Sequence, residues 1–323
     1  MRSSLGMKLP KRIFWWCSSI VAIWLIFCSI AGVFAVEWAL HPARLLLSAN
    51  ADAQANAIAR SDRVVLEPVS ISADDGAVLR GWRIRTVHGN GDAVILLHGQ
   101  SDNRTGMVGT AQLLLRHGYS VLLPDARAHG VSGGALATYG VKEANDIRRW
   151  FEWLGRTEVP HCIYGLGESM GAAELLQSLK REAGFCAVVA ESPFANFREA
   201  SYDRMGERIG AGAWAGRTLM RPAVEVGLLY AHWKYGIELS QAAPDKAVAG
   251  SRTPVLLIHG MKDDNLPPHN SELIIAQSRG RIPQVALWEP KEAGHCGAAG
   301  AEPKEYERRV IEWFGDHHSP SLQ

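Results

Sequence analysis

The stretch Gly165-Leu166-Gly167-Glu168-Ser169-Met170-Gly171 constrains this chain more than any other. A short apolar run, His161–Tyr164, precedes it and reads as a strand, and Ala172–Lys180 follows it and reads as a helix. Within it, Gly167-x-Ser169-x-Gly171 matches G-x-S-x-G, a strand-to-helix turn so sharp that the serine hydroxyl stands clear at the top of a sheet. Backbone in such a turn is strained, and a Cβ two residues to either side of the serine would strike the neighbouring strand or helix. Glycine is therefore required at both places. The following helix aims its N-terminus, the positive end of its dipole, at any oxyanion formed beside the serine. A second reading uses the same glycines. Gly165-x-Gly167-x-x-x-Gly171 is a loosened dinucleotide-binding loop, with Glu191, after the apolar run Cys186–Ala190, placed to hold a ribose. Its spacing departs from G-x-G-x-x-G. The two readings separate elsewhere: a serine hydrolase needs an acid, a base and an oxyanion hole in set places, and a dinucleotide site needs none of them.

Around this turn the chain alternates between strand and helix. Val64–Ser72 and Ala77–Val87 form a hairpin across Asp74-Asp75-Gly76. Ala93–Leu97 is short and fully apolar, as a buried parallel strand should be, and ends in His98-Gly99-Gln100-Ser101. Helix Thr105–His117 stops at Gly118, strand Tyr119–Pro124 follows, and Lys142–Leu154 is helical. After the serine turn come strand Cys186–Ala190, buried strand Pro254–Ile258, helix Asn270–Ser278, strand Val285–Trp288 and the amphipathic helix Glu302–Phe314. This order predicts an α/β fold: a mostly parallel eight-stranded sheet, helices on both faces, and an antiparallel hairpin at its start. Phe194–Gly250 interrupts the alternation, is rich in aromatics and reads as a small helical cap over the sheet, some of its aromatics lining an acyl pocket. Ligands of such sheets bind beyond the carboxyl ends of the strands.

Those ends carry the expected chemistry. Asp263, just past a buried strand, is the acid and His295, past the last strand, the base; Asp264 and Glu191 are lesser acid candidates. The chain order Ser169, Asp263, His295 is the order of the fold that carries G-x-S-x-G. A serine hydroxyl is a poor nucleophile until an imidazole takes its proton. A carboxylate in turn fixes the imidazole tautomer and stabilises the imidazolium. The backbone N–H groups of Gln100 and Met170 are the expected oxyanion hole. His98, His129 and His259 each precede glycine in a loop or strand end and read as structural, and Asp125 with Arg127 as a loop-ordering pair.

Together His98-Gly99, Asp125-x-Arg127-x-His129-Gly130-x-Ser132, Gly167-x-Ser169-x-Gly171, Gly260-x-x-Asp263-x-x-Leu266-Pro267 and Gly294-His295 resemble the α/β-hydrolase superfamily. The chain is similar to its membrane-anchored esterase/lipase-like branch, which also holds serine aminopeptidase-like members. The resemblance covers roughly Val64 to Phe314 and implies the eight-stranded fold and the roles of Ser169, Asp263 and His295. Ala126, Ala128 and Leu266 depart mildly from the usual pattern. Expected is a serine hydrolase of carboxylic esters acting through an acyl-enzyme, with no metal and no organic cofactor. The alternatives are a peptidase or thioesterase on the same triad, or a non-catalytic, membrane-tethered α/β protein, whether a dinucleotide binder or an interaction module.

The N-terminus is a separate object. Residues 1–12 carry Arg2, Lys8, Lys11 and Arg12 and no acid, and Ile13–Val36 runs without a charge. As a helix this run spans roughly 36 Å, enough to cross a bilayer. Trp15, Trp16 and Trp38 stand where interfacial aromatics belong. The expectation is an anchor over 13–36, a linker over 37–63, weakly helical within His41–Arg60, and a catalytic domain over 64–323 with the cap at 194–250. The basic flank places the N-terminus in the cytoplasm and the catalytic domain outside. A cleaved signal peptide, with a shorter apolar core, is the alternative. A net charge of +1 with interspersed signs argues against nucleic acid as a partner. Of five cysteines, Cys17 and Cys28 lie in the anchor, Cys162 and Cys186 read as small buried hydrophobes, and Cys296 belongs to the rim of the site. The sequon Asn103-Arg104-Thr105 reads as chance.

Overall fold

The computed structural model describes residues 11–47, 64–181, 184–278 and 284–318. Eight strands form one sheet: β1 (Val64–Ser72), β2 (Val78–Thr86), β3 (Ala93–Leu97), β4 (Ser120–Pro124), β5 (Ile163–Glu168), β6 (Val188–Glu191), β7 (Val255–Ile258) and β8 (Val285–Trp288). Their spatial order is β1-β2-β4-β3-β5-β6-β7-β8. The hairpin β1–β2 is antiparallel and β2 meets β4 antiparallel; every other pairing is parallel. The eight strands and the mixed sheet are those the sequence leads one to expect.

Successive side chains of a strand point to opposite faces, and β3 shows both faces to be core. Val94 and Leu96 join one apolar layer, while Ala93, Ile95 and Leu97 join the other. The first layer is closed by α2 (Val108–Arg116) and by α11 (Pro303–Asp316), which brings Tyr306, Val310 and Phe314 inward at helical spacing. The second is closed by α3 (Glu143–Glu158), through Ile147, Trp150 and Leu154, and by α4 (Met170–Ser178). All nine residues of α4 are buried, so the helix behind the serine is clamped between sheet and neighbours.

The cap consists of α5 (Phe197–Arg208), α6 (Gly212–Arg217), α7 (Arg221–Tyr235) and α8 (Pro244–Ala249). Helix α9 (His269–Ser278) and the single turn α10 (Ala298–Ala301) complete the domain. The N-terminal helix α1 runs Lys11–Leu40, four residues beyond the expected end of the anchor. It is long and apolar enough to cross a membrane. Its buried positions, Cys28, Gly32, Val36 and Leu40, recur every four residues and form one stripe against the cap. Residues 42–47 have no regular structure; residues 48–63, the remainder of the expected linker, lie outside the described residues.

Two expectations are corrected. Cys162 and Cys186 form a disulfide, with Cα atoms 5.8 Å apart. They precede β5 and β6, and the parallel register that sets Gly165 opposite Val188 brings the two cysteines side by side. Asp125 and Arg127 are not partners of each other. Asp125 takes a two-pronged, buried contact from Arg104 (3.0 and 2.6 Å), whereas Arg127 turns the other way onto Asp146 (2.7 and 2.8 Å) and Asp75 (2.9 Å). Both pairs brace the loop after β4.

Candidate active site

Strand β5 delivers Ser169 in a backbone conformation with φ 52° and ψ −116°, outside the comfortable regions for a non-glycine residue. The turn is held by Ser169 N–H donating to the Glu191 carbonyl at 2.8 Å. The flanking glycines are sterically required. A Cβ on Gly171 would lie 2.5 Å from the His98 carbonyl oxygen, and one on Gly167 would lie 2.7 Å from the Ala172 nitrogen.

His295 stands between the other two expected residues. Its Nε2 is 2.8 Å from Ser169 Oγ and its Nδ1 is 2.8 Å from Asp263 Oδ2. The loops after β7 and β8 that bring Asp263 and His295 together touch backbone to backbone, because a Cβ on Gly260 would lie 2.3 Å from the Ala293 carbonyl. Asp263 is buried, and its Oδ1 accepts from the N–H groups of Asn265 (3.0 Å) and Leu266 (2.9 Å). Burial by itself would raise its carboxyl, but hydrogen bonds from His259 and His295 outweigh burial and hold it well below the usual carboxylate range. His259 Nε2 donates to the Leu266 carbonyl at 2.7 Å and lies 3.4 Å from Asp263 Oδ2. Asp264, the competing acid, is exposed.

The loop after β3 reaches the serine: the Cβ direction of Gly99 ends 3.5 Å from Ser169 Cβ. Gln100 follows, and its N–H meets no backbone acceptor among the described residues. Met170 opens α4, so its N–H is one of the four a helix leaves without an internal partner. His98 and His129 are buried and bonded to backbone, His98 accepting from Ala126 N–H at 3.0 Å. Burial pushes His129 down to about 4. Asn103 is buried and donates to the Leu45 carbonyl, so the sequon nitrogen is not presented to solvent.

Glu191, the carboxylate a dinucleotide site would present to a ribose, is closed off from solvent. It is 2 % exposed and accepts from Ala298 N–H at 2.9 Å, and burial pushes its carboxyl up to about 7. Burial likewise pushes Glu168, next to Ser169, up to about 8. Cys296 lies beside His295 with its thiol raised by burial, an unreactive setting. Asp92, Cys162 and His318 bring potential metal-ligating atoms within 4.8 Å of one another. The sulfur of Cys162 is committed to the disulfide and offers no thiolate there.

A pocket of about 950 Å³ of empty space, part of it open to solvent, adjoins the serine. Ser169, Met170 and Gln100 form its inner end. The cap supplies Phe197, Arg204, Val224 and Leu228. The opposite wall is Gly32, Ala35, Val36 and Ala39 of α1. The N-terminal helix, expected to be separate from the site, thus forms part of it. The signal was the four-residue spacing of small and apolar residues from Cys28 to Leu40, which is hard to see inside a segment that is apolar all round.

Residues 94–309 match the model of the alpha/beta hydrolase family, and the chain belongs to that family. An uncharacterized Bacillus subtilis protein, YqkD, is 26% identical over 251 residues, 77% of this chain and 78% of its own length. An uncharacterized Mycobacterium tuberculosis protein, Rv2307c, is 31% identical over 257 residues, covering 79% and 73%. The rat lysophosphatidylserine lipase ABHD12 is 31% identical over 124 residues, 36% of this chain and 31% of that one. Among solved structures, the Pyrococcus furiosus esterase Pf2001 superposes with a TM-score of 0.68 at 26% identity, covering 87% of this chain and 100% of the esterase. Acylaminoacyl peptidase of Pyrococcus horikoshii shares the fold at 17% identity and a TM-score of 0.59, covering 78% of this chain and 42% of the peptidase.

Proposed function

We propose that the chain is a serine hydrolase that cleaves carboxylic esters through Ser169, His295 and Asp263. The observation that carries the reading is the His295 ring, bonded at 2.8 Å on one side to a hydroxyl and at 2.8 Å on the other to a buried carboxylate. With Nδ1–H donating to Asp263, Nε2 is the free base that faces Ser169 Oγ. As Oγ attacks the acyl carbonyl its proton passes to Nε2. The N–H groups of Gln100 and Met170 are the donors this reading assigns to the resulting oxyanion, each such donor contributing about 2.7–4 kcal/mol in the transition state. Collapse of the intermediate expels the alcohol, which takes the proton from His295. Water, deprotonated by the same ring, then releases the acid and restores Ser169.

Ester rather than amide is favoured by the likeness to an esterase at 26% identity, whereas the peptidases share only the fold. The apolar pocket suits an acyl chain. Helix α1 is read as a membrane anchor with the N-terminus inside and the catalytic domain outside; a disulfide, which persists in oxidising compartments, supports that side. Fluorophosphonate labelling of the full chain, with turnover of p-nitrophenyl esters, tests the assignment. Both should vanish in Ser169→Ala, and label that persists on the variant removes Ser169 from the mechanism.

A further inference from the structure

Helix α1 and α7 climb side by side in the same direction. Cys28 Sγ lies 3.8 Å from the Leu219 carbonyl, just before α7. Gly32 lies against Ala223 and Gly227, and Val36 against Gly227. Glu37 accepts from Tyr230 (2.6 Å) and Tyr235 (2.8 Å) near the end of α7. The height of each part of the cap along α1 follows directly. Leu219 is level with Cys28, about 12 Å below Val36 at 1.5 Å per residue. Helix α6 leads into that level, since Met220 N–H donates to the Ala215 carbonyl at 2.9 Å and Met205 of α5 packs with Cys28 and Met220, whereas Arg208 at the end of α5 stands higher, over the Trp38 ring. Even the shortest helix that crosses a bilayer, about 20 residues, reaches Gly32 when counted from Ile13. This edge of the cap therefore lies inside the apolar span rather than above it.

The residues on that edge match such a position. Trp214 is 70 % exposed and Leu219 50 %. On α1, Phe27 and Ile30 are exposed at the same height. Arg208, over the Trp38 ring, and Arg221, two residues beyond Leu219, are exposed and pair with no carboxylate among the described residues. An apolar edge with tryptophan and flanking arginines fits a leaflet of acyl chains and phosphates. A protein partner would have to share this edge with the lipid that already surrounds α1. The pocket runs down the same face of α1, from Ser169 to Gly32, and Met205 belongs both to its wall and to the cluster around Cys28.

We propose that the cap edge at Trp214 and Leu219 is seated in the outer leaflet of the bilayer, and that the pocket takes its acyl ester sideways from that leaflet. The seating rests on reading α1 as the anchor, and the loading rests also on the hydrolase reading. Two measurements on the full chain in phosphatidylcholine–phosphatidylglycerol vesicles separate them. Cys17, Cys28 and Cys296 are first replaced by Ala, with the disulfide kept. A spin label at Trp214→Cys or Leu219→Cys should then collide more with oxygen than with a water-soluble nickel chelate, as a label at Ile30→Cys on α1 should. A label at Val131→Cys on the catalytic domain should show the reverse. Nickel accessibility at 214 and 219 equal to that at 131 overturns the proposal, whatever the enzyme does. In the second measurement, Trp214→Glu with Leu219→Glu should lower hydrolysis of a long-chain ester carried in the vesicles by about tenfold or more. Hydrolysis of dissolved p-nitrophenyl butyrate should stay within about twofold, because these side chains do not line the pocket. Equal loss on both substrates, or loss on neither, overturns sideways loading. If the wild-type chain cleaves no ester at all, the hydrolase reading fails and the spin-label result still decides the seating.

Discussion

Replacing Asp263 by Asn isolates what the carboxylate does for His295. Oδ1 accepts from two backbone N–H groups, those of Asn265 and Leu266, and Oδ2 faces His295 Nδ1 at 2.8 Å. An Asn side chain in the same rotamer must keep its carbonyl oxygen on the two N–H groups, because turning the amide over would set donor against donor. Its NH₂ is then forced toward His295 and toward His259 Nε2, which already donates elsewhere. Nδ1 has to accept, the ring proton shifts to Nε2, and Nε2 can no longer take the serine proton. In a Ser-His-Asp triad this wrong tautomer lowers kcat by about 10⁴-fold, equivalent to roughly 5.4 kcal/mol of transition-state stabilisation. The assay is kcat/KM for p-nitrophenyl butyrate, with thermal unfolding followed alongside. Asp264→Asn, on an exposed neighbour, is the control and should stay within about twofold of wild type. The reasoning is refuted if Asp263→Asn folds normally and keeps about a tenth of its activity or more, or if Asp264→Asn carries the loss.

Three further outcomes follow from the packing. Glu191 is held neutral by burial up to about 7 against an ordinary 4.5, so between those values the unfolded chain loses its proton first and wild-type stability falls as pH rises. Glu191→Gln keeps the acceptor for Ala298 N–H and lacks that loss. Its Tm advantage should therefore grow from pH 4.5 to 7, by an amount equivalent to roughly 3 kcal/mol, and a difference that is flat with pH rejects this account. The Cys162–Cys186 bond closes a loop of 24 residues' separation. Cys162→Ala with Cys186→Ala should cost about 3–4 kcal/mol, seen as a lower denaturant midpoint, with a slope that rises because the uncross-linked unfolded chain exposes more surface; an unchanged midpoint shows that the bond does not form. In Gly32→Ala the new Cβ would lie 2.0 Å from the Ala223 carbonyl oxygen, whereas Gly109 has nothing within 4 Å. Gly32→Ala should lose about 1–3 kcal/mol in thermal unfolding of the full chain in detergent, and Gly109→Ala should be neutral or slightly stabilised. Equal behaviour of the two would mean that α1 is not packed on α7.

The sequence made local chemistry legible because local chemistry is what a turn needs. A strand that must reverse into a helix around an exposed hydroxyl has to use glycine at 167 and 171, and the atoms those glycines avoid are those of the adjoining loop and helix. The chain order Ser169, Asp263, His295 was legible for the same reason, since each residue follows a strand that apolar runs reveal. What pairs across the fold was less legible. Asp125 and Arg127 are two residues apart and of opposite charge, yet the strand end turns them to opposite sides, one to Arg104 and one to Asp146. Cys162 and Cys186 become neighbours only once β5 and β6 are known to run in parallel and in register.

The N-terminal helix shows the deeper reason for such misses. Hydropathy reports how apolar a segment is, not which of its faces is occupied. In a helix that meets water on one side, the buried stripe stands out against polar residues. In α1 both the exposed residues and the cap-facing residues are apolar, and the stripe from Cys28 to Leu40 differs in holding a residue, Gly32, small enough for a second helix to come close. Gly32 and Gly227 meet with no side chain between them, and that approach brings Ala35 and Ala39 to the pocket that holds Ser169. An anchor serving only to tether would place no such demand on residue size. Bulk at Gly32 should therefore disturb the site, while equal bulk on the exposed face at Ile30 should not, and turnover of one short ester by the two variants distinguishes a wall from a tether.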